Sequence, residues 1–177
     1  MDIRADFDKL SAYLAGSPWM ANLNAALESK TNLALLVGTV DNCSLIRETF
    51  GIVSLDHVFP KIEKLLHERF GDHSVWWGAV FPFFLIRLTG DEANHAVEIA
   101  EAIRTTVEST SFDDQFHVTM HFGVTHASSS WAAAGGFRGL MGAADKSIEL
   151  GKMKQVANRV YEPANVSAYE EWIGKRG

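Results

Sequence analysis

Only one of the 177 residues is a cysteine, Cys43, so no disulfide can form within the chain. A lone cysteine in an apolar context points to a reducing compartment, and the cytoplasm is the expected location. Proline is nearly as scarce, at four residues, and no proline-rich or low-complexity linker divides the sequence. No apolar run approaches the ~20 residues that a membrane-spanning helix requires, and the opening residues carry Asp2 and Arg4 where a secretory leader would be apolar. Basic residues are few, and the net charge is −6. No clustered Lys/Arg face is evident before Lys175-Arg176, so neither nucleic acid nor an anionic membrane is an expected partner.

What is present describes an ordinary globular chain, 47% hydrophobic and 21% charged, long enough for one domain with a proper core. Ile3, Phe7, Leu10 and Leu14 recur at helical spacing among charged residues, which predicts an amphipathic helix ending near Gly16. Ser17-Pro18 then opens a second helix over Trp19–Ser29. Leu33–Val40 is a continuous apolar run, as expected of a central strand covered on both faces. Helices are expected over Leu45–Phe50, closed by Gly51, and over Leu55–Phe70, ended by Gly71-Asp72. Two aromatic runs follow within Ser74–Leu88 and meet at Gly78-Ala79, the pattern of a buried hairpin.

Asp91 is expected to cap a further helix that frays over Thr106–Phe112. Phe116–Thr125 alternates as a strand with Val118, Met120, Phe122 and Val124 on one face. A helix from Phe137 or Leu140 to about Lys154, a short strand at Asn158–Tyr161 and a polar tail complete the chain. The fold class expected is α/β (α+β), a mixed central β-sheet flanked by helices. The organisation expected is an N-terminal helix over 1–16, a domain over 17–163 and a tail over 164–177. His117 and His121 would lie about 13 Å apart along one strand, too far to chelate a single ion, and are read as core or surface histidines.

The order of motifs resembles the GGDEF family, the diguanylate cyclase domains that condense two GTP molecules into cyclic di-GMP. Leu14-Ala-Gly-Ser-Pro-Trp-Met20 looks like the family's L-T-G-L-P-N-R entry. Leu33–Gly51 is similar to its strand and D-x-D-x-F-K-x-x-N-D-x-x-G segment, with Leu55-Asp56 standing where the family has G-D. His121-Phe-Gly-Val124 looks like S-x-G-V, Ala144–Lys152 like A-D-x-A-L-Y-x-A-K, and Asn158-Arg-Val160 like N-R-V. The likeness runs from about Ala12 to Val160, and its strength lies in the collinear series rather than in any one match.

The signature falls on the hairpin. Two registers fit, Trp77-Gly78-Ala79-Val80-Phe81 and Gly78-Ala79-Val80-Phe81-Pro82, and neither supplies an acid. The resemblance implies two divalent cations held by carboxylates from the central strand and the hairpin turn, which would lower the barrier to attack by the 3'-hydroxyl. Here Thr39 takes the place of the first strand Asp, leaving Asp41 as the one surviving carboxylate. The expectation is therefore a catalytically inactive domain with no metal and no cofactor, retained in bacterial cyclic di-GMP-related signalling as a protein-interaction module.

Two alternatives stay open. Arg69-Phe-Gly-Asp72, separated from Gly78 by residues 73–77, is similar to the family's inhibitory R-x-x-D site and would make the chain a cyclic di-GMP receptor. An enzyme of altered nucleotide chemistry is the other. Asp56 matches the family's guanine-reading Asp and Lys152 its phosphate-contacting Lys, although each is equally a helix-start acid or a solvated face. The guanine pocket otherwise departs from the family, with Arg47 and Glu48 replacing Asn and Asp. Arg87-Leu-Thr-Gly-Asp-Glu92 is a closer literal match to the signature, but it opens into a helix where the family has a strand. A protein partner is expected, with cyclic di-GMP and a second copy of the chain as further candidates. Trp77 or Phe81, if projecting from the turn, would be the anchor.

Overall fold

The computed structural model describes residues 7–78, 83–112, 117–127, 136–153 and 157–162. Helices α1 (Phe7–Leu14) and α2 (Pro18–Glu28) lead into strand β1 (Leu33–Val40), followed by helices α3 (Cys43–Phe50) and α4 (Ile52–Phe70). Strands β2 (Val75–Trp77) and β3 (Phe83–Thr89) come next, then helices α5 (Asp91–Asn94) and α6 (Ala96–Ser109). Strand β4 (Met120–His126), helix α7 (Gly136–Met153) and strand β5 (Val160–Tyr161) complete the described elements.

The sheet order is β2-β3-β1-β4-β5, so the continuous apolar run does form the central strand. Antiparallel pairing joins β2 to β3, β3 to β1 and β1 to β4, while β4 and β5 run parallel, which makes the sheet mixed. Helices cover both faces. On one, Leu36, Phe84, Ile86, Met120 and Phe122 pack with Val58 and Ile62 of α4 and Ile103 of α6. On the other, Leu33, Leu35, Val37 and Leu85 pack with Leu14 of α1, Leu23 of α2 and Leu140 of α7. Leu10 and Leu14 are fully buried in this second cluster, so the first helix contributes to the same core as the rest.

Two close approaches fix the layers. A Cβ on Gly123 of β4 would lie 2.2 Å from the Ala144 carbonyl oxygen of α7, and one on Gly38 of β1 would lie 2.3 Å from the Phe122 ring. Only glycine permits these contacts, and they set how near helix and ring come to the sheet.

Several boundaries differ from the sequence reading. The α4 helix begins at Ile52, three residues early, and runs through Pro60, whose missing amide leaves the Asp56 carbonyl without its helical donor. Asp56 therefore sits past the first turn and is neither a cap nor a first-turn acid. Asp91 does not cap: Gly90, at φ 62°, occupies the N-cap without a side-chain bond, and the helix breaks at His95 before resuming as α6. That helix stays regular to Ser109, so the expected passage into a loop begins only at Thr110, with Phe112 buried beyond it. The β4 strand begins at Met120 rather than Phe116, leaving exposed His117 outside it with its ring against the Thr110 carbonyl. Among the described residues no helix is long and apolar enough to cross a membrane.

Candidate functional site

The C-terminal end of β1, the first residue of β3 and the start of β4 lie together. Thr39 is paired with Phe83, the first residue of β3, on one side and with His121 on the other. Ala79, Val80, Phe81 and Pro82 of the hairpin joint lie outside the described residues. Gly78 before them is buried.

At this end of the sheet the polar side chains satisfy one another. His121, only 6% exposed, donates through Nδ1 to Asp41 Oδ1 in a short contact. Asp41 Oδ2 accepts from the Thr119 hydroxyl at 2.7 Å and from the Asn158 amide at 2.8 Å. The Asp41 amide donates to the Thr119 carbonyl at 2.8 Å, so backbone and side chain tie it to the same segment. Burial pushes the Asp41 carboxyl up. Hydrogen bonds from His121 and Thr119, the attraction of His121 and the Asn158 amide outweigh it and hold the group below the usual carboxylate range.

A hydroxyl, an imidazole and a carboxylate in line invite comparison with a nucleophile–base–acid relay, but the geometry is wrong for proton transfer. Thr39 Oγ1 lies 2.9 Å from His121 Nε2 and 3.5 Å from Nδ1. Being near both nitrogens, it rests beside the ring rather than on the Nε2 axis along which a base would take a proton. Thr39 packs the ring in place, and the ring orients Asp41. In the sequence, Asp41 stands only as a surviving carboxylate and His121 as a core or surface histidine. The signal that joins them is the register Thr39↔His121 across antiparallel strands, which no local motif contains.

The hairpin aromatics are structural. Trp77 stacks on Phe59 at 5.6 Å and 12° and on Phe84 at 5.9 Å and 27°, so it does not project from the turn as a partner anchor. Trp76, on the other face, meets Tyr13 edge-on at 6.1 Å.

Arg69 and Asp72 flank Gly71 where α4 ends, both exposed. The Arg69 guanidinium lies 5.2 Å from the Phe70 ring, and the Asp72 carboxylate is 3.1 Å from His67 Nδ1. Asp56 is exposed farther along α4. Lys152 lies on α7, with its side chain outside the described residues. Arg87, in the more literal signature match, belongs to β3 and donates to the His73 carbonyl at 3.1 Å, holding the start of the hairpin. Asp91 and Glu92 open α5, well removed in register from Thr39.

No protein-family model matches the sequence, and no curated protein does. Solved structures do. The active GGEEF domain of a diguanylate cyclase from Vibrio cholerae superposes with a TM-score of 0.64 at 21% identity, over 83% of this chain and 92% of that one. The chain has the fold of a GGDEF domain. The GGDEF domain of YfiN from Pseudomonas aeruginosa gives a TM-score of 0.67 at 19% identity, over 87% of this chain and 95% of that one. That of DgcB from Caulobacter crescentus, solved in complex with c-di-GMP, gives 0.66 at 18% identity, over 82% and 84%.

The GGDEF resemblance implies a pair of divalent cations at the end of β1, and the residues present do not fit them. Hard cations want several free oxygen ligands, carboxylates above all. Thr39 offers a hydroxyl already packed against an imidazole, both Asp41 oxygens are engaged by protein donors, and Ala79, Val80 and Phe81 carry no acid. Among the described residues no group of three or more His, Cys, Asp or Glu side chains converges on a metal position.

Proposed function

We propose that this GGDEF-like domain works by binding rather than by turnover, as a catalytically inactive module of cyclic di-GMP-related signalling in a bacterial cytoplasm that engages a protein partner. The observation that carries the reading is the closed Thr39–His121–Asp41 network at the end of β1. Both Asp41 oxygens accept from protein donors and Thr39 packs on the His121 ring, where a cyclase needs carboxylates open to cations. The apolar hairpin supports the same reading, since residues 79–81 would strip water from a triphosphate without offering it a counter-charge. A pull-down with the immobilised domain from host lysate, with and without cyclic di-GMP, tests it. A stoichiometric protein retained reproducibly supports the module; no specific protein under either condition contradicts it.

A second reading, a cyclic di-GMP receptor, is favoured by one observation. Arg69 and Asp72 are both exposed at the α4–β2 junction, and Arg69 is in no ion pair among the described residues, which leaves its planar fork open to a guanine edge or phosphate. Calorimetric titration with cyclic di-GMP separates the readings. Heat that disappears in Arg69→Ala establishes the receptor, and no heat at tens of micromolar ligand removes it.

A further inference from the structure

The C-terminal strand is held by side chains more than by its ladder. Strand β5 pairs with β4 over two positions, Phe122↔Val160 and Gly123↔Tyr161, and the Phe122 amide donates to the Arg159 carbonyl at 2.9 Å. Just before it, Asn158 adopts the left-handed region at φ 57°. A non-glycine residue stays there only where its surroundings over-determine it. Three bonds do so. The Asn158 amide donates to Asp41 Oδ2 at 2.8 Å, its side-chain oxygen accepts from Arg104 at 2.7 Å, and its side-chain amide donates to Glu108 Oε1 at 2.8 Å. Arg104 is itself fixed between Glu101 and Glu108, at 2.6 and 2.9 Å.

Asp41 is the buried member of this set. Its Oδ1 faces His121 and its Oδ2 faces Thr119 and Asn158, so one carboxylate joins the end of the central strand, the strand beside it and the segment entering β5. The Arg104 end is partly exposed, with Glu101 and Glu108 side chains near half exposure, and ion pairs so placed hold weakly. The hold on residues 157–162 therefore depends on the Asp41 end.

We infer that Asp41 is the internal anchor of a C-terminal strap: its carboxylate, oriented by His121, fastens residues 157–162 across β4 and couples the end of the central strand to the C-terminal strand. Oδ2 holds the Asn158 amide, while the bond from His121 to Oδ1 keeps the carboxylate turned toward it. Thr119 shares Oδ2 with Asn158 and steadies the carboxylate. The strap opens when the carboxylate is removed, while the antiparallel β2–β3–β1 part of the sheet, held by its own ladder, stays closed.

Residue-resolved amide hydrogen exchange on the full chain tests this. In Asp41→Ala the amides of Asn158, Tyr161 and Phe122 should exchange at least about tenfold faster, the loss of one buried charged hydrogen-bond acceptor. Amides of Leu35, Val37 and Leu85 should change far less. Thr119→Val keeps the shape and removes one donor to Asp41, so it should speed the same amides by a smaller factor even if Asp41→Ala does not fold. Unchanged β5 amides in both variants, or acceleration equal across the whole sheet in Thr119→Val, would overturn the inference.

Discussion

Replacing Trp77 with alanine decides whether the signature hairpin is core or contact surface. The indole is half-buried and lies between two rings, Phe59 at 5.6 Å and Phe84 at 5.9 Å. Each well-placed aromatic pair is worth about 0.5–1.5 kcal/mol beyond its area, so the two pairs contribute about 1–3 kcal/mol. Full burial of a large aromatic would raise the cost of truncation to about 3–5 kcal/mol; partial exposure sets the expectation near 3 kcal/mol. In a chain of this length that corresponds to a Tm lower by roughly 6–12 °C. Urea unfolding followed by tryptophan fluorescence and far-UV circular dichroism reads it as a lower midpoint with an unchanged slope. The Trp77 Nε1 atom is buried with no hydrogen-bond partner among the described residues, so Trp77→Phe should cost much less, because it removes that donor while keeping a ring in the stack. A loss below about 1 kcal/mol for Trp77→Ala would refute the stack as a source of stability and return the ring to the role of partner anchor.

Gly123→Ala should destabilise by about 1–3 kcal/mol, since the added methyl meets the Ala144 backbone at 2.2 Å and α7 must lift from the sheet; a thermal melt equal to wild type contradicts the close approach. Asp41 gives the acid limb of stability a definite sign. Its carboxyl is held below the usual range in the folded chain, so its contribution is present above the unfolded value near ~3.9 and is lost as pH falls through the folded value. The stability difference between wild type and Asp41→Asn should thus shrink once the pH falls below ~4. A difference that keeps growing below that pH would mean that the carboxylate is not stabilised by its neighbours.

Much of the fold was legible because its central strand is apolar almost throughout. Leu33–Val40 reads as a strand buried on both faces, and Ser17-Pro18, Gly51 and Gly71 mark helix ends by their backbone demands. The boundaries that moved did so where tertiary contacts override local signals. Gly90, bonded to Asn32 through backbone and side chain, takes the cap that Asp91 was expected to fill, whereas no local signal marks Ile52 as the start of α4. At the site, the identity of Thr39 was enough to read a missing acid, but its new partner was not readable. His121 is 82 residues away, and only the β1–β4 register brings the two together. Asn158 was legible as part of a motif and illegible as the left-handed clamp on Asp41, since that conformation depends on Arg104 and Glu108 from a distant helix.

We propose that the end of β1 holds an internal hydrogen-bond network in place of cation chemistry. Incubation of the purified chain with GTP and either Mg²⁺ or Mn²⁺, followed by chromatographic analysis of the nucleotides, tests it most directly. The account predicts unchanged GTP and no cyclic dinucleotide after prolonged incubation at high enzyme concentration, while the Vibrio cholerae domain run alongside serves as the active control. Cyclic di-GMP formed in proportion to protein, and abolished by EDTA, would contradict it.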